Sequence, residues 1–305
     1  MTRPRTSFAC ALLTLATASS LLAAVDPGLL EMTPPDTRFL AGLQVQQAIA
    51  SPFGHFALSQ MPEQSAVLLQ LAATTGFDLR RDLREVLLAS HGQRGKIFKD
   101  GVLLARGTFQ MDRLLVFAEK VHAKLSNYAG VPLITLADKG ASSIAIIDSS
   151  TLAVGPELAL QGVINRHMQK FLFSGALADK AALTGANADA WVATVTPLAR
   201  VIPSSNGGVW PLAFLQAVLE SSAGLRFDTG GITLSAEAIT HSPTEAAGIA
   251  GMFKIIAGML KNAESSLLQG ARFTTEGNAT RFTLTVAEQD LERAFPAPAQ
   301  KRAAR

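Results

Sequence analysis

Cysteine is almost absent from this 305-residue chain: Cys10 is the only one. A lone thiol excludes an intramolecular disulfide, so stability must come from a hydrophobic core. Strong charge of either sign is missing too. The 27 Lys and Arg face 24 Asp and Glu, a formal net charge of +3, and two of the arginines, Arg3 and Arg5, sit at the very start. The remainder is nearly neutral and lacks the basic patch that a nucleic acid requires. Tyr occurs once and Trp twice, against 16 Phe. Surfaces that stack sugars or bases favour Trp and Tyr, which join a flat face to a polar handle, so neither ligand class is expected. Histidine is sparse. His55, His91, His122, His167 and His241 are widely spaced, so no local metal motif exists.

What is present begins with an export signal over residues 1–24. Arg3 and Arg5 form a basic start, and residues 8–24 carry no formal charge. Leu22-Ala23-Ala24 offers small residues to a signal peptidase, and Asp26-Pro27-Gly28 closes the run with turn chemistry. The stretch is short for a membrane span. It predicts a periplasmic or extracellular address, with Cys10 lost along with the leader. A retained signal anchor is the alternative. No transmembrane span is read in the mature chain.

The remaining residues, about 280, are enough for one large core or two smaller ones. Strands are expected over 37–45, 83–90, 102–109, 131–137, 143–147 and 151–154. Helices are expected over 52–61, 64–75, 111–126 and 157–169. In 111–126 the stripe Leu114, Phe117, Val121 and Leu125 recurs at helical spacing. The second half reads as a strand over 190–196 and a helix over 211–221. Hairpin strands over 224–227 and 231–240 follow, then a helix over 242–262 and a last hairpin over 270–275 and 280–287. Ser242-Pro243-Thr244-Glu245 is a capping box with proline in the first turn.

Both halves thus read as βαββαββ, with an additional strand and helix over 151–169. The predicted class is α+β, a mainly antiparallel sheet packed by helices. The domain reading is a signal over 1–24, a first half over 25–173, a looser linker over 174–188, a second half over 189–295 and a disordered tail over 296–305.

Three runs carry a resemblance: Thr75-Gly76-Phe77-Asp78-Leu79-Arg80-Arg81-Asp82-Leu83-Arg84-Glu85-Val86, Leu103-Leu104-Ala105-Arg106-Gly107-Thr108-Phe109 and Asp148-Ser149-Ser150-Thr151-Leu152-Ala153-Val154-Gly155. Across roughly residues 34–170 the chain resembles uncharacterised exported proteins of soil bacteria. The resemblance implies export. It implies no activity, cofactor or site residue.

Several short motifs offer candidate sites. His91-Gly92-Gln93-Arg94-Gly95-Lys96 is a basic loop punctuated by glycine, without the spacing or hydroxyl residue of a phosphate loop. His91, Arg94 and Lys96 are read as an anion or partner contact, against the plainer reading of a hairpin tip. Trp210 either anchors a partner or packs back on the helix that follows it. Asp78, Arg81 and Glu85 have the spacing of an ion-paired helical turn. Asp148-Ser149-Ser150 reads as a hairpin turn. No Gly-x-Ser-x-Gly elbow accompanies it. Glu288, Asp290 and Glu292 would share one face if extended, but Ca²⁺ loops also bring a glycine turn and more oxygen ligands. No catalytic, cofactor or metal residue is assigned.

The functional expectation is therefore an exported, non-enzymatic module of the cell envelope that binds another protein or serves a structural role. The alternatives are a carrier or sensor of an apolar small ligand, and a hydrolase whose residues are too scattered to read from sequence.

Overall fold

The computed structural model describes residues 25–54, 72–97, 99–135, 142–202, 216–261 and 270–290, with backbone only at 256–261. The elements run α1 (Pro27–Met32), β1 (Phe39–Gln44), α2 (Val45–Ala50), α3 (Leu79–Asp82), β2 (Leu83–Ser90), β3 (Val102–Gly107), α4 (Met111–Lys120), β4 (Lys124–Tyr128), β5 (Val131–Thr135), β6 (Ser143–Asp148), β7 (Thr151–Gly155) and α5 (Glu157–Gln169). There follow α6 (Ala176–Gly185), β8 (Ala190–Thr194), α7 (Leu198–Val201), β9 (Val218–Asp228), β10 (Gly231–Thr240), α8 (Pro243–Lys261), β11 (Arg272–Glu276) and β12 (Ala279–Ala287).

The described strands form one twelve-stranded sheet in the order β11-β12-β10-β9-β8-β1-β2-β3-β7-β6-β5-β4. Every pairing is antiparallel. The chain is α+β, as its mixed periodicities predict. At the centre β1 pairs β8, with Ala41 opposite Val192. From that seam β1, β2 and β3 run outward in sequence order on one side, and β8, β9 and β10 on the other.

Side chains alternate across the sheet with the period of two that a pleated strand imposes. On the first face Leu40, Leu87, Leu104, Leu133, Ala153 and Trp191 form a core roofed by Leu29 and Met32 of α1, Leu160, Val163 and Ile164 of α5, and Leu177 and Ala181 of α6. On the second face Leu114 and Ala118 of α4 and Val45 of α2 cover Ala105, Ile134 and Ile146. Farther along that face Phe282, Leu284 and Val286 pack with Ile232 and Leu234. There α8 lies over β10, β11 and β12, and Phe253 stacks on Phe273 and Phe282. The strand alternation puts Glu220, Arg226, Glu237 and Arg281 on the first face, so that face turns polar where the helices α1 and α5 no longer cover it.

Trp191 sits in a slot made by two glycines. A Cβ on Gly42, its cross-strand partner, would stand 2.4 Å from the indole Cε2 and Nε1, and one on Gly185 would stand 3.1 Å from Nε1. Only residues without a side chain allow the ring to lie flat between β1 and α6.

Four expectations need correction. The helix expected over 111–126 ends at Lys120, and Lys124–Tyr128 is strand β4. His122 takes a left-handed φ of 52° there, which reverses the chain, and Leu125 faces Ile134 of β5 instead of a helix stripe. This also moves His122 from a helix face to an exposed turn. The helix expected to reach 221 is replaced from Val218 by β9, because pairing with β10 continues through a bulge to Thr240. The segment 174–188, read as a looser linker, carries α6, whose Leu177 and Ala181 are buried. Finally, Asp26-Pro27 is more than a turn: it starts α1, with Asp26 as N-cap and proline in the first turn. The helices read over 52–61 and 64–75 lie largely outside the described residues, as does the first part of the one read over 211–221.

The capping box holds. The Ser242 hydroxyl accepts from the Glu245 N–H at 3.2 Å. The Glu245 carboxylate reaches back to the N–H of His241 at 3.0 Å.

Candidate functional site

The densest polar cluster lies at one end of the first face. Cross-strand register sets Gln44 of β1, Glu85 of β2, Arg106 of β3 and Thr151 of β7 in a row. A β-bulge between Leu83 and Glu85 makes this possible. Two residues apart on a regular strand share a face, yet Leu83 packs in the second-face core while Glu85 points to the first. The extra residue rotates the strand and re-aims the carboxylate.

Asp26 closes the row from above. Its Oδ1 accepts from the N–H of Gly28 at 2.7 Å and of Leu29 at 3.2 Å, capping α1. The same carboxylate receives the Arg106 guanidinium in a fork, Nε to Oδ2 at 2.9 Å and Nη2 to Oδ1 at 2.8 Å. Arg106 Nη1 donates to the Thr151 hydroxyl and, at 3.4 Å, to Ser150 Oγ. The Asp26 N–H is shared between both oxygens of Glu85, at 3.2 and 3.3 Å. The Gln44 side chain also hydrogen-bonds Glu85.

The electrostatics follow from that geometry. Glu85 is 6% exposed, and burial pushes its carboxyl above the ordinary value despite the Asp26 amide and Gln44. Burial also pushes Asp26 upward, but the Arg106 fork and the two helix amides outweigh it, so its carboxyl sits below the ordinary value. Asp26 in turn raises Arg106. At Asp148 burial is outweighed by Ser150, whose N–H and hydroxyl donate at 2.6 and 2.7 Å, and the net direction is down. Three carboxylates thus gather around one guanidinium, and that guanidinium is forked onto Asp26.

Sequence reasoning missed this cluster. Glu85 was expected to support Arg81 on a helical turn. Instead Arg81 pairs with Asp82 at 2.7 Å and donates to the Gly76 carbonyl, and Glu85 lies in β2 because α3 is only four residues long. The available signal was Asp26-Pro27, a helix start.

The residues that sequence singled out are held by separate neighbours. His91 Nε2 lies 2.7 Å from Asp36 Oδ2. Arg94 Nη2 donates to the Ala199 carbonyl of α7 at 2.8 Å. Lys96 is exposed, and its carbonyl accepts from the N–H of Lys99 and of Asp100 in a turn. Trp210 and His55 lie outside the described residues. Ser150 belongs to the β6–β7 turn, and its hydroxyl meets Asp148, Arg106 and Thr151. No histidine is among these partners, and the one carboxylate, Asp148, has its proton affinity lowered by Ser150, Thr151 and Arg106. Residues 288–290 are helical, so Glu288 and Asp290 do not alternate on an extended face, and Glu292 lies outside the described residues. Among the described residues no group of three His, Cys, Asp or Glu is placed to hold a metal ion.

A second charged group links α6 to the polar part of the first face. Lys180 Nζ lies 3.6 Å from both Glu220 and Glu237. Arg281 bridges Glu237 at 2.9 Å and Glu276 at 2.6 Å. Outward from the sheet, α5 and α6 show large apolar side chains to solvent: Leu158 is 80% exposed and Leu183 69%, and Met168 at the end of α5 and Leu172 in the connection to α6 are exposed as well. No helix among the described residues is long and apolar enough to cross a membrane.

No protein-family model matches the chain, and no curated protein matches it either. Solved structures do. Crystal form III of TP0453 superposes with a TM-score of 0.53 at 10% identity, covering 89% of this chain and 98% of that one. Crystal form IV gives 0.52 at 10% identity, covering 90% and 99%. Crystal form I gives 0.50 at 10% identity, covering 89% and 96%. At that identity the likeness is one of fold.

Proposed function

We propose that the chain is an exported, non-enzymatic module of the cell envelope that binds a protein partner over the outer side of α5 and α6. One observation carries this reading. On α5 the buried residues Leu160, Val163 and Ile164 centre on the sheet side, and Leu158 projects opposite to them. On α6 the buried Leu177, Ala181 and Gly185 do the same, and Leu183 projects opposite. Large apolar side chains on the outward side of two roof helices are costly in water unless a partner covers them. The charged clusters support a scaffold role, since Asp26, Arg106, Lys180 and Glu237 are engaged with one another and not held open in a cleft.

Among the described residues the carrier alternative finds less support. A cleft lined by Thr75, Phe77, Asp82, Phe109 and Leu114 has about 30 Å³ of free volume, room for roughly one water.

The proposal includes two similar halves. The order β1-β2-β3 followed by β5-β4, with the β6–β7 hairpin intercalated, parallels β8-β9-β10 followed by β12-β11. The helices α4 and α8 occupy corresponding places, each between the third and fourth strand of its half. The export reading rests on residues 1–24, which lie outside the described residues.

The test is a photo-crosslinking residue at position 158 or 183 in the full chain, expressed in cells of its source. The expected result is one discrete protein adduct, lost when Leu172 is changed to Asp. Crosslinking no stronger than at an exposed site on the second face would overturn the reading.

A further inference from the structure

We infer that the mature chain begins at Val25 and that its new α-ammonium is the cation for the buried Glu85 carboxylate. The inference rests on the export reading for the cleavage, but the receiving site stands on geometry of its own.

Three observations converge. First, the position is fixed covalently. The Asp26 nitrogen lies 3.2 and 3.3 Å from the two Glu85 oxygens. Consecutive backbone nitrogens are about 3–3.6 Å apart, so the nitrogen of Val25 stands within about 7 Å of that carboxylate. Second, Val25 is not a loose end. It is 5% exposed and belongs to the first-face core, and its Cγ2 fills the space where a Cβ of Gly185 would stand. The N–H and carboxylate of Asp26 make six hydrogen bonds to four residues, Glu85, Gly28, Leu29 and Arg106, so the start of the mature chain is held to the sheet, and Val25 to α6. Third, the local charges do not balance. Glu85, Asp26 and Asp148 surround Arg106, and Arg106 is forked onto Asp26. Among the described residues Glu85 has amide partners but no cation of its own.

Cleavage after Ala24 supplies that cation. Hydrolysis of the peptide bond between Ala24 and Val25 consumes one water. It leaves a carboxylate on the leader and an amine on Val25, which is protonated at neutral pH. The leader departs with its own charge, and the amine remains beside Glu85. The sequence carries small residues at 23 and 24, on the leader side of this bond. Processing and folding are coupled in this arrangement: a chain cut one or more residues earlier places its amine outside the cluster.

The experiment uses the chain as recovered after export from a bacterial host. N-terminal sequencing comes first and is expected to read Val-Asp-Pro. A different start would remove the cleavage on which the inference depends, and an unprocessed chain would count against the export reading itself. The α-amine is then titrated by pulse acetylation across a pH series with mass-spectrometric readout of the N-terminal peptide, in the wild type and in Glu85→Gln. The charged groups near it are Glu85 on β2, Asp26 at the start of α1, Arg106 on β3 and Asp148 at the end of β6. Only the first changes. The amine is expected to titrate about one pH unit lower in Glu85→Gln than in the wild type, because a nearby negative charge is gone. Equal titration in the two folded proteins would overturn the inference. Should Glu85→Gln fail to fold, the wild type alone decides: its amine must titrate higher in the folded chain than in urea, and an equal or lower value refutes the pairing.

Discussion

Replacing Gly42 with alanine sets strand propensity against packing, and the two predict opposite signs. On propensity alone, Gly42→Ala in the middle of β1 is favourable by about 0.5–1 kcal/mol, because glycine loses more backbone freedom on folding. The structure says otherwise. The new methyl would stand 2.4 Å from Cε2 and Nε1 of Trp191 and 2.6 Å from Cζ2. Carbon contacts settle at about 3.5–4 Å, so the indole must retreat by roughly 1 Å. Trp191 is 4% exposed and is bounded by Gly185, so the retreat disturbs the packing of α6. Overpacking of this kind costs about 1–3 kcal/mol. The net expectation is a loss centred on about 1 kcal/mol and reaching about 2.5 kcal/mol. Urea unfolding followed by far-UV circular dichroism measures it, as a fall in midpoint at constant slope. The same substitution in a Trp191→Ala background removes the obstacle and should be neutral or stabilising by up to about 1 kcal/mol. Gly42→Ala as stable as the wild type in the Trp191 background would refute the reasoning.

Three further outcomes follow from the geometry. Asp26 has a folded-state pKa below its unfolded value, so its contribution to stability is present above about pH 4 and fades as pH falls through the lower folded value. Asp26→Asn keeps the helix cap but loses the charge, so its stability deficit against wild type should shrink on acidification below about pH 4. A deficit independent of pH would count against the Arg106 fork as its source. Ser242→Ala removes the hydroxyl that accepts the Glu245 N–H and is expected to cost about 1 kcal/mol, read as a lowered urea midpoint. His91→Ala breaks a 2.7 Å contact between two exposed side chains, and thermal unfolding at neutral pH should show a change of less than about 1 kcal/mol.

Local periodicity made much of the fold legible. The apolar run Val86-Leu87-Leu88-Ala89 marks residues 83–90 as a strand, and β2 forms at those limits, while Ser242-Pro243-Thr244-Glu245 announces α8. The failures share one cause, a pattern compatible with two structures and decided by distant contacts. Leu125 sits at helical spacing from Leu114, Phe117 and Val121, yet no glycine or proline marks the stop. A left-handed His122 and the register against β5 end the helix instead. Residues 218–221 follow a proline that suits a helix start, but β10 continues opposite them and claims them for the sheet. The site was less legible than the fold. Asp26, Glu85 and Arg106 are brought together by a bulge and by strand register, and neither leaves a mark in the local sequence. The basic loop around His91, Arg94 and Lys96 drew notice for its composition, yet His91 and Arg94 tie it to Asp36 and α7.

The seam between β1 and β8 imposes an order in time. Described hairpins such as β2–β3, β4–β5 and β9–β10 close within a few tens of residues, whereas Phe39 must find Thr194, about 150 residues later. With the chain delivered N-terminus first, the outer edge of β1 stays unpaired until residues 190–194 arrive. That edge reads Phe39-Leu40-Ala41-Gly42-Leu43, with no charge or proline to deter a foreign strand. The yield of native protein therefore depends on how fast the second half is delivered to the compartment where the chain folds, and slowing that delivery between residues 45 and 190 should divert chains into aggregates before the seam can close.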